Sequence, residues 1–178
     1  MSGSPTVAGK SDMEDQMSRH AQPNPEKSNQ CDWPKTMEFV RPAAEQVGAQ
    51  EIPTLLGVNG ATTSARGISI SLTMFEPGGH SNCHIHVDSE SALYVLEGSA
   101  HFFFGEHLEH NQVVNKGDFI YVPPSCPHKG YNRSRTDPVT FVVARTDALE
   151  HEHVVVIPDE DDGSAGARVD YIDGGRHA

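Results

Sequence analysis

Two histidines two residues apart, His84 and His86, lie in the stretch Gly78-Gly79-His80-Ser81-Asn82-Cys83-His84-Ile85-His86 and are the side chains in this chain best suited to chemistry. On a pleated strand, residues i and i+2 share a face, so both imidazoles can reach one divalent ion, a pairing that Zn, Fe, Ni and Cu all accept. Alone the pair is a weak signal, because two histidines on an exposed strand are more often solvated than ligating. A second stretch, Gly117-Asp118-Phe119-Ile120-Tyr121-Val122-Pro123-Pro124-Ser125-Cys126-Pro127-His128, adds a third histidine after a proline-rich turn, and Asn132 follows it.

Together the two stretches resemble the motifs of the cupin family. The family's first motif runs Gly, five residues, His-x-His, three or four residues, Glu, six residues, Gly; this chain has Gly78, His84, His86, an acid at Glu90, and Gly98. The second runs Gly, five residues, Pro-x-Gly, two residues, His, three residues, Asn; this chain has Gly117, Pro123, His128 and Asn132. The match covers residues 78–132 and is specific because the positions agree in order and spacing. It departs from the family at two places. Ser125 stands where the second motif has glycine, which asks a serine to take a turn conformation easier for glycine. With Gly98 held in place, Ser91 falls at the glutamate position and Glu90 lies one residue early. A one-residue slip reverses the face of a strand, so Glu90 turns inward only if the chain bulges between Val87 and Ser91. The metal set is then His84, His86, Glu90 and His128; without the bulge it is the three histidines alone.

The elements that would position these residues read as strands. Ile68, Ile70, Leu72 and Met74 alternate with Ser69, Ser71 and Thr73, which puts one row inward and one outward. Further strand-like runs lie at 93–96, 101–104, 119–122, 139–143 and 154–157, separated by turn clusters such as Val58-Asn59-Gly60 and Asn115-Lys116-Gly117-Asp118. Short strands at this spacing mean a sandwich or barrel, all-β in class, and the resemblance implies a small antiparallel jelly-roll barrel. Residues 42–50 are compatible with one or two helical turns. Strand parity puts His80 and Asn82 in the register of His84, and Cys126 in that of His128; Tyr94, His101, Phe103, Tyr121 and Phe141 are candidate linings of a substrate pocket. His107, His110, His151 and His153 stand among glutamates and read as solvated positions.

At 178 residues the chain is long enough for one domain. Its ends look unlike its middle: 1–35 is rich in Ser, Pro, Asn and Gln and reads as a disordered polar tail, and 158–178 opens with the acidic run Asp159-Glu160-Asp161-Asp162 and reads as a flexible tail. The barrel is expected over 36–157. Thirteen Lys and Arg against 25 Asp and Glu leave a net charge of −12 with no basic cluster, which argues against a nucleic-acid partner. Cys31, Cys83 and Cys126 form no paired framework, and no apolar run has the length of a signal peptide or membrane span, so a cytoplasmic, non-membrane protein is expected.

A divalent ion held on one side by three or four protein ligands can take a small-molecule substrate on the other. With Fe(II) this gives dioxygenase chemistry, the leading expectation; with Zn, Ni or Mn, Lewis-acid chemistry such as isomerisation, cyclisation or elimination. A non-catalytic small-molecule or metal-binding module is the third reading, since proteins that look like this one span all three. The resemblance further implies a homodimer, with 33–47 crossing to the partner.

Overall fold

The computed structural model describes residues 34–42, 46–47, 51–149, 153–158 and 164–173. Among these the chain is almost all strand: β1 (Gln46–Val47), β2 (Pro53–Val58), β3 (Ser69–Phe75), β4 (His84–His86), β5 (Ser91–Glu97), β6 (Ser99–Phe104), β7 (His110–Asn115), β8 (Phe119–Val122), β9 (His128–Asn132), β10 (Val139–Arg145) and β11 (Val154–Val156), with one helical turn, α1 (Ser164–Ala167). The strands form two antiparallel sheets, a six-stranded one in the order β1-β2-β3-β10-β5-β8 and a five-stranded one in the order β11-β4-β9-β6-β7. No helix among the described residues is long and apolar enough to cross a membrane.

The alternation in β3 is present, but with the polar row inside. Ser69, Ser71 and Thr73 are buried and Ile70 and Leu72 are exposed. The apolar filling of the lumen comes from the other strands: Val95, Ala100, Phe102, Val114, Val139, Phe141 and Val143 cluster with Ile52 and Phe75. Three rings form its centre, with Phe75 and Phe141 edge-on at 5.3 Å and Phe102 and Phe141 at 5.8 Å between centroids. Gly130 on β9 makes room for them, since a Cβ there would lie 2.8 Å from atoms of both Phe102 and Phe75. Gly98, which joins β5 to β6, has φ +82° and would press a Cβ to within 2.8 Å of the Pro138 carbonyl oxygen, so only glycine fits without strain. One lumen end is therefore sealed by hydrocarbon, while the other carries hydroxyls and, at the end of β10, Arg145.

Asn132 ends β9 and is fully buried. Its Nδ2 donates to the carbonyls of Phe75 (3.2 Å), Glu76 (2.9 Å) and Asp137 (2.8 Å), and its Oδ1 accepts from the Ser134 amide at 2.8 Å. The motif asparagine thus ties the ends of β3 and β9 and the start of β10 together.

Two expectations are corrected. Residues 46–47 form strand β1, paired with β2, instead of helix, because the β2 edge offers ladder hydrogen bonds that an isolated helical turn lacks. Residues 164–173, expected within a flexible tail, pack on the outside of the five-stranded sheet. Ala165 and Val169, four residues apart, are buried against Cys83, Phe103, Leu108 and Tyr131. Arg133 holds the Asp170 carboxylate at 2.5 Å, Ser134 Oγ donates to Asp173 at 2.6 Å, and the Arg135 amide also donates to Asp173. The acid-rich average hid two small apolar anchors and two acids that have partners on the barrel. Only 34–35 of the polar segment 1–35 are described, and the acidic run 159–162 lies outside the described residues.

Replacing Asn132 with Ala should remove its donated hydrogen bonds to the buried Phe75 carbonyl and the part-buried Glu76 and Asp137 carbonyls, and the bond it accepts from the Ser134 amide. We expect a loss of about 3 kcal/mol or more, read by denaturant unfolding.

Candidate metal centre

β4 is only the tripeptide His84-Ile85-His86, held between β11 and β9 in the five-stranded sheet. Its parity buries both histidines inward and leaves Ile85 half-buried on the other side. His128 is the first residue of β9 and lies directly opposite His84 in the antiparallel register. The turn that delivers it is clamped to β4: Ser125 takes φ +58°, its amide donates to the His86 carbonyl at 2.7 Å and its hydroxyl to the Val87 carbonyl at 3.0 Å. The serine in the glycine place therefore does adopt the left-handed turn, and its side chain adds a hydrogen bond that glycine could not make.

The three rings converge. Centroids are 4.2 Å apart for His84 and His128, 5.0 Å for His84 and His86, and 5.5 Å for His86 and His128, and one ring nitrogen from each lies within 4.8 Å of the others. His84 Nδ1 sits 2.8 Å from the Asn82 carbonyl and His128 Nδ1 sits 2.9 Å from the Cys126 carbonyl. A carbonyl can only accept, so both Nδ1 atoms carry the proton and both Nε2 atoms keep a lone pair. Burial holds the rings neutral. Desolvation lowers the pKa of His84 to about 3, helped by His128; of His86 to about 2, helped by Arg145; and of His128 to about 4. Neutral, oriented, mutually facing imidazoles are the donor set of a divalent transition metal, and His84, His86 and His128 would hold it.

Glu90 does not join them. Its side chain is on the exposed side of the barrel and accepts a 2.7 Å hydrogen bond from the Tyr121 hydroxyl. No bulge turns it inward: Ser91, the first residue of β5, is the buried one, and its predecessor faces out. The lumen position nearest the motif glutamate is thus occupied by Ser91, with Arg145 paired opposite on β10 and donating from Nε to Ser91 Oγ at 3.3 Å. Both residues line the same cavity of about 40 Å³ as the three histidines, together with Thr73, Leu93 and Phe141. Sequence reasoning missed Arg145, although the inward row Val139, Phe141, Val143 ends on it and a charge at that parity was a readable signal.

The remaining candidates are scattered. His80 is exposed, bridged to Tyr131 and outside the cavity, and the expected regular parity fails because Ser81 and His84, three apart, both line the lumen while Cys83 packs outside with Phe103. Phe103 is therefore on the outer side, and its neighbour Phe102 faces the site. His101 is turned outward as well, toward Asp170 and Asn111. Tyr94 stacks outward on Phe119 at 4.8 Å. Tyr121 and Cys126 line a second cavity of about 420 Å³, which shares Phe102 and His128 with the first. Phe141 lines the first, as anticipated.

His84→Ala or His128→Ala should abolish bound metal in a folded barrel, whereas Glu90→Ala should retain it; metal analysis of the three purified variants separates these outcomes. The pH response has a definite sign. The unfolded chain protonates these histidines near about 6.5 while the folded one resists to about 2–4, so stability is full above about pH 6.5 and falls as the pH drops below it. Each ring contributes a slope of up to about 1.4 kcal/mol per pH unit. Denaturant melts of metal-stripped protein between pH 7 and 4 should show this slope, reduced in His86→Ala.

A family model described as Cupin matches residues 44–160. No curated protein matches the chain. Among solved structures, an oxalate oxidase superposes with a TM-score of 0.51 at 20% identity, over 65% of this chain and 60% of that one. A Lactobacillus farciminis oxalate decarboxylase in its formate complex gives 0.53 at 18% identity, over 66% of this chain and 33% of that one. An uncharacterized conserved protein with a double-stranded β-helix domain from Klebsiella pneumoniae gives 0.50 at 16% identity, over 70% and 97%. The chain thus spans less than two thirds of the first and a third of the second, and at these identities the likeness is one of fold. With the motif residues on facing strands of a two-sheet barrel and the family model covering that barrel, this chain belongs to the cupin family.

Proposed function

We propose that this cupin is a metal-dependent enzyme acting on a small organic molecule, and that it is an Fe(II) dioxygenase. The observation that carries the reading is the group of three desolvated, neutral imidazoles facing a cavity with no acidic residue among its described lining. An all-imidazole set suits Fe, Zn, Ni or Cu, whereas Mn prefers oxygen ligands. Iron held by these histidines would supply dioxygen chemistry that no side chain can provide. The chain's own part is positioning and exclusion. Phe75, Phe102 and Phe141 close one side of the site with hydrocarbon, and the larger cavity beyond Phe102 and His128 gives room for the body of a substrate. That cavity is lined mostly by apolar groups, with Gln112, Tyr121, Cys126 and His128 at its polar points.

Protein purified without a metal-affinity tag should contain iron, and should consume oxygen with members of a panel of catechol-like, diketone and thiol compounds, an activity absent in His84→Ala. Turnover under strict anaerobiosis would instead establish Lewis-acid chemistry such as isomerisation, cyclisation or elimination.

We also propose a homodimer. Across the six-stranded sheet Leu55, Leu72, Val142, Tyr94 and Phe119 are successive register partners, an uncharged row running from β2 to β8. Sedimentation should show a dimer that Leu72→Asp converts to monomer; an unchanged dimer would place the contact elsewhere.

A further inference from the structure

We infer that the site takes an uncharged aromatic molecule, which enters from the side of the barrel between β7 and β8 and keeps its ring in the larger cavity. The inference rests on the reading of His84, His86 and His128 as a metal centre and names the substrate class of that site. β7 and β8 are the last strands of their respective sheets, so no ladder joins them and the barrel wall carries a seam there. The cavity of about 420 Å³ lies in that seam: β7 gives it Gln112 and Val114, and β8 gives it all four of its residues, Phe119 to Val122. Successive residues of a strand point to opposite faces, so a cavity that touches four in a row runs along the strand's free edge. It reaches Phe102 and His128, which also line the histidine cavity.

Size divides the ligand in two. The histidine cavity of about 40 Å³ has room for a small donor group or a few waters and no more. The seam cavity is well above the roughly 150 Å³ in which benzene binds. A ring therefore stays in the seam, and only the donor group it carries passes His128 toward the other imidazoles.

The lining sets the chemistry of that ring. None of the described residues around the seam cavity is Asp, Glu, Lys or Arg. An ionised group drawn into it would lose its hydration with no counter-charge to meet it, which favours a neutral molecule. Phe102, Phe104, Phe119 and Tyr121 supply aromatic walls, and a ligand ring gains edge-on or offset contacts with them beyond the area it buries.

The test uses the full chain loaded with Co(II), at neutral pH, and three probes of similar shape. These are 2-naphthol, neutral and aromatic; 2-naphthoate, its anionic counterpart; and decahydro-2-naphthol, neutral without aromatic rings. Half-buried Cys126 lines the cavity, so its rate of alkylation by iodoacetamide, read on its own peptide by mass spectrometry, reports occupancy. Wild type should bind 2-naphthol at least about tenfold more tightly than 2-naphthoate and severalfold more tightly than decahydro-2-naphthol, with matching protection of Cys126. Q112W, a change at an exposed position on the seam, should fill the cavity and abolish both binding and protection. F119A should narrow the gap between 2-naphthol and decahydro-2-naphthol. Equal or tighter binding of either control probe by wild type, or undiminished protection in Q112W, would overturn the inference. If Q112W does not fold, the wild-type comparison and F119A, changed at a residue 80% exposed, decide the matter. Absence of Co(II) binding by wild type would overturn the metal reading, while protection of Cys126 by 2-naphthol in that protein would still support the lateral seat.

Discussion

Taking three imidazoles and a guanidinium out of water inside one small barrel is the constraint around which this molecule is built. Neutral histidines lose hydration on burial and charged ones lose far more, which is why all three rings are held unprotonated. The fold compensates locally: the carbonyls of Asn82 and Cys126 accept hydrogen bonds from Nδ1 of His84 and His128, and the Ser91 hydroxyl accepts one from Arg145 Nε. None of the described residues lining the histidine cavity is Asp or Glu, so the donors that face a metal there are the three neutral rings.

Rigidity of the site follows from where its residues stand. His84 and His86 belong to an interior strand with ladder partners on both sides, and His128 begins the neighbouring strand in direct register. The turn before His128 is itself fastened to β4 through Ser125, so the first and second motifs are bound at the backbone as well as at the side chains. Asn132 does the same at the far end of β9, where one buried amide group serves three carbonyls and one N–H. Such over-determined positions resist the small displacements to which ligand geometry is most sensitive.

The histidine triad and the all-β fold were legible in the sequence for a physical reason: fixed spacing across a strand and a turn constrains both parity and reach. His84 and His86 needed only the period of a strand, and His128 only the length of the turn from Gly117. Legibility fails wherever parity must be carried past an irregularity. Between Ser81 and His84 the inward side chains are three apart, which displaced His80, and the same kind of one-step error exchanged Phe103 for Phe102 and turned Tyr94 outward. Face assignment in β3 was open for a different reason, since the alternation of Ile and Ser shows two rows but not which one the lumen needs. The segment 164–173 was hidden because average composition registers its acids and not their partners: Asp170 is paired to Arg133, a residue 37 positions earlier in the chain.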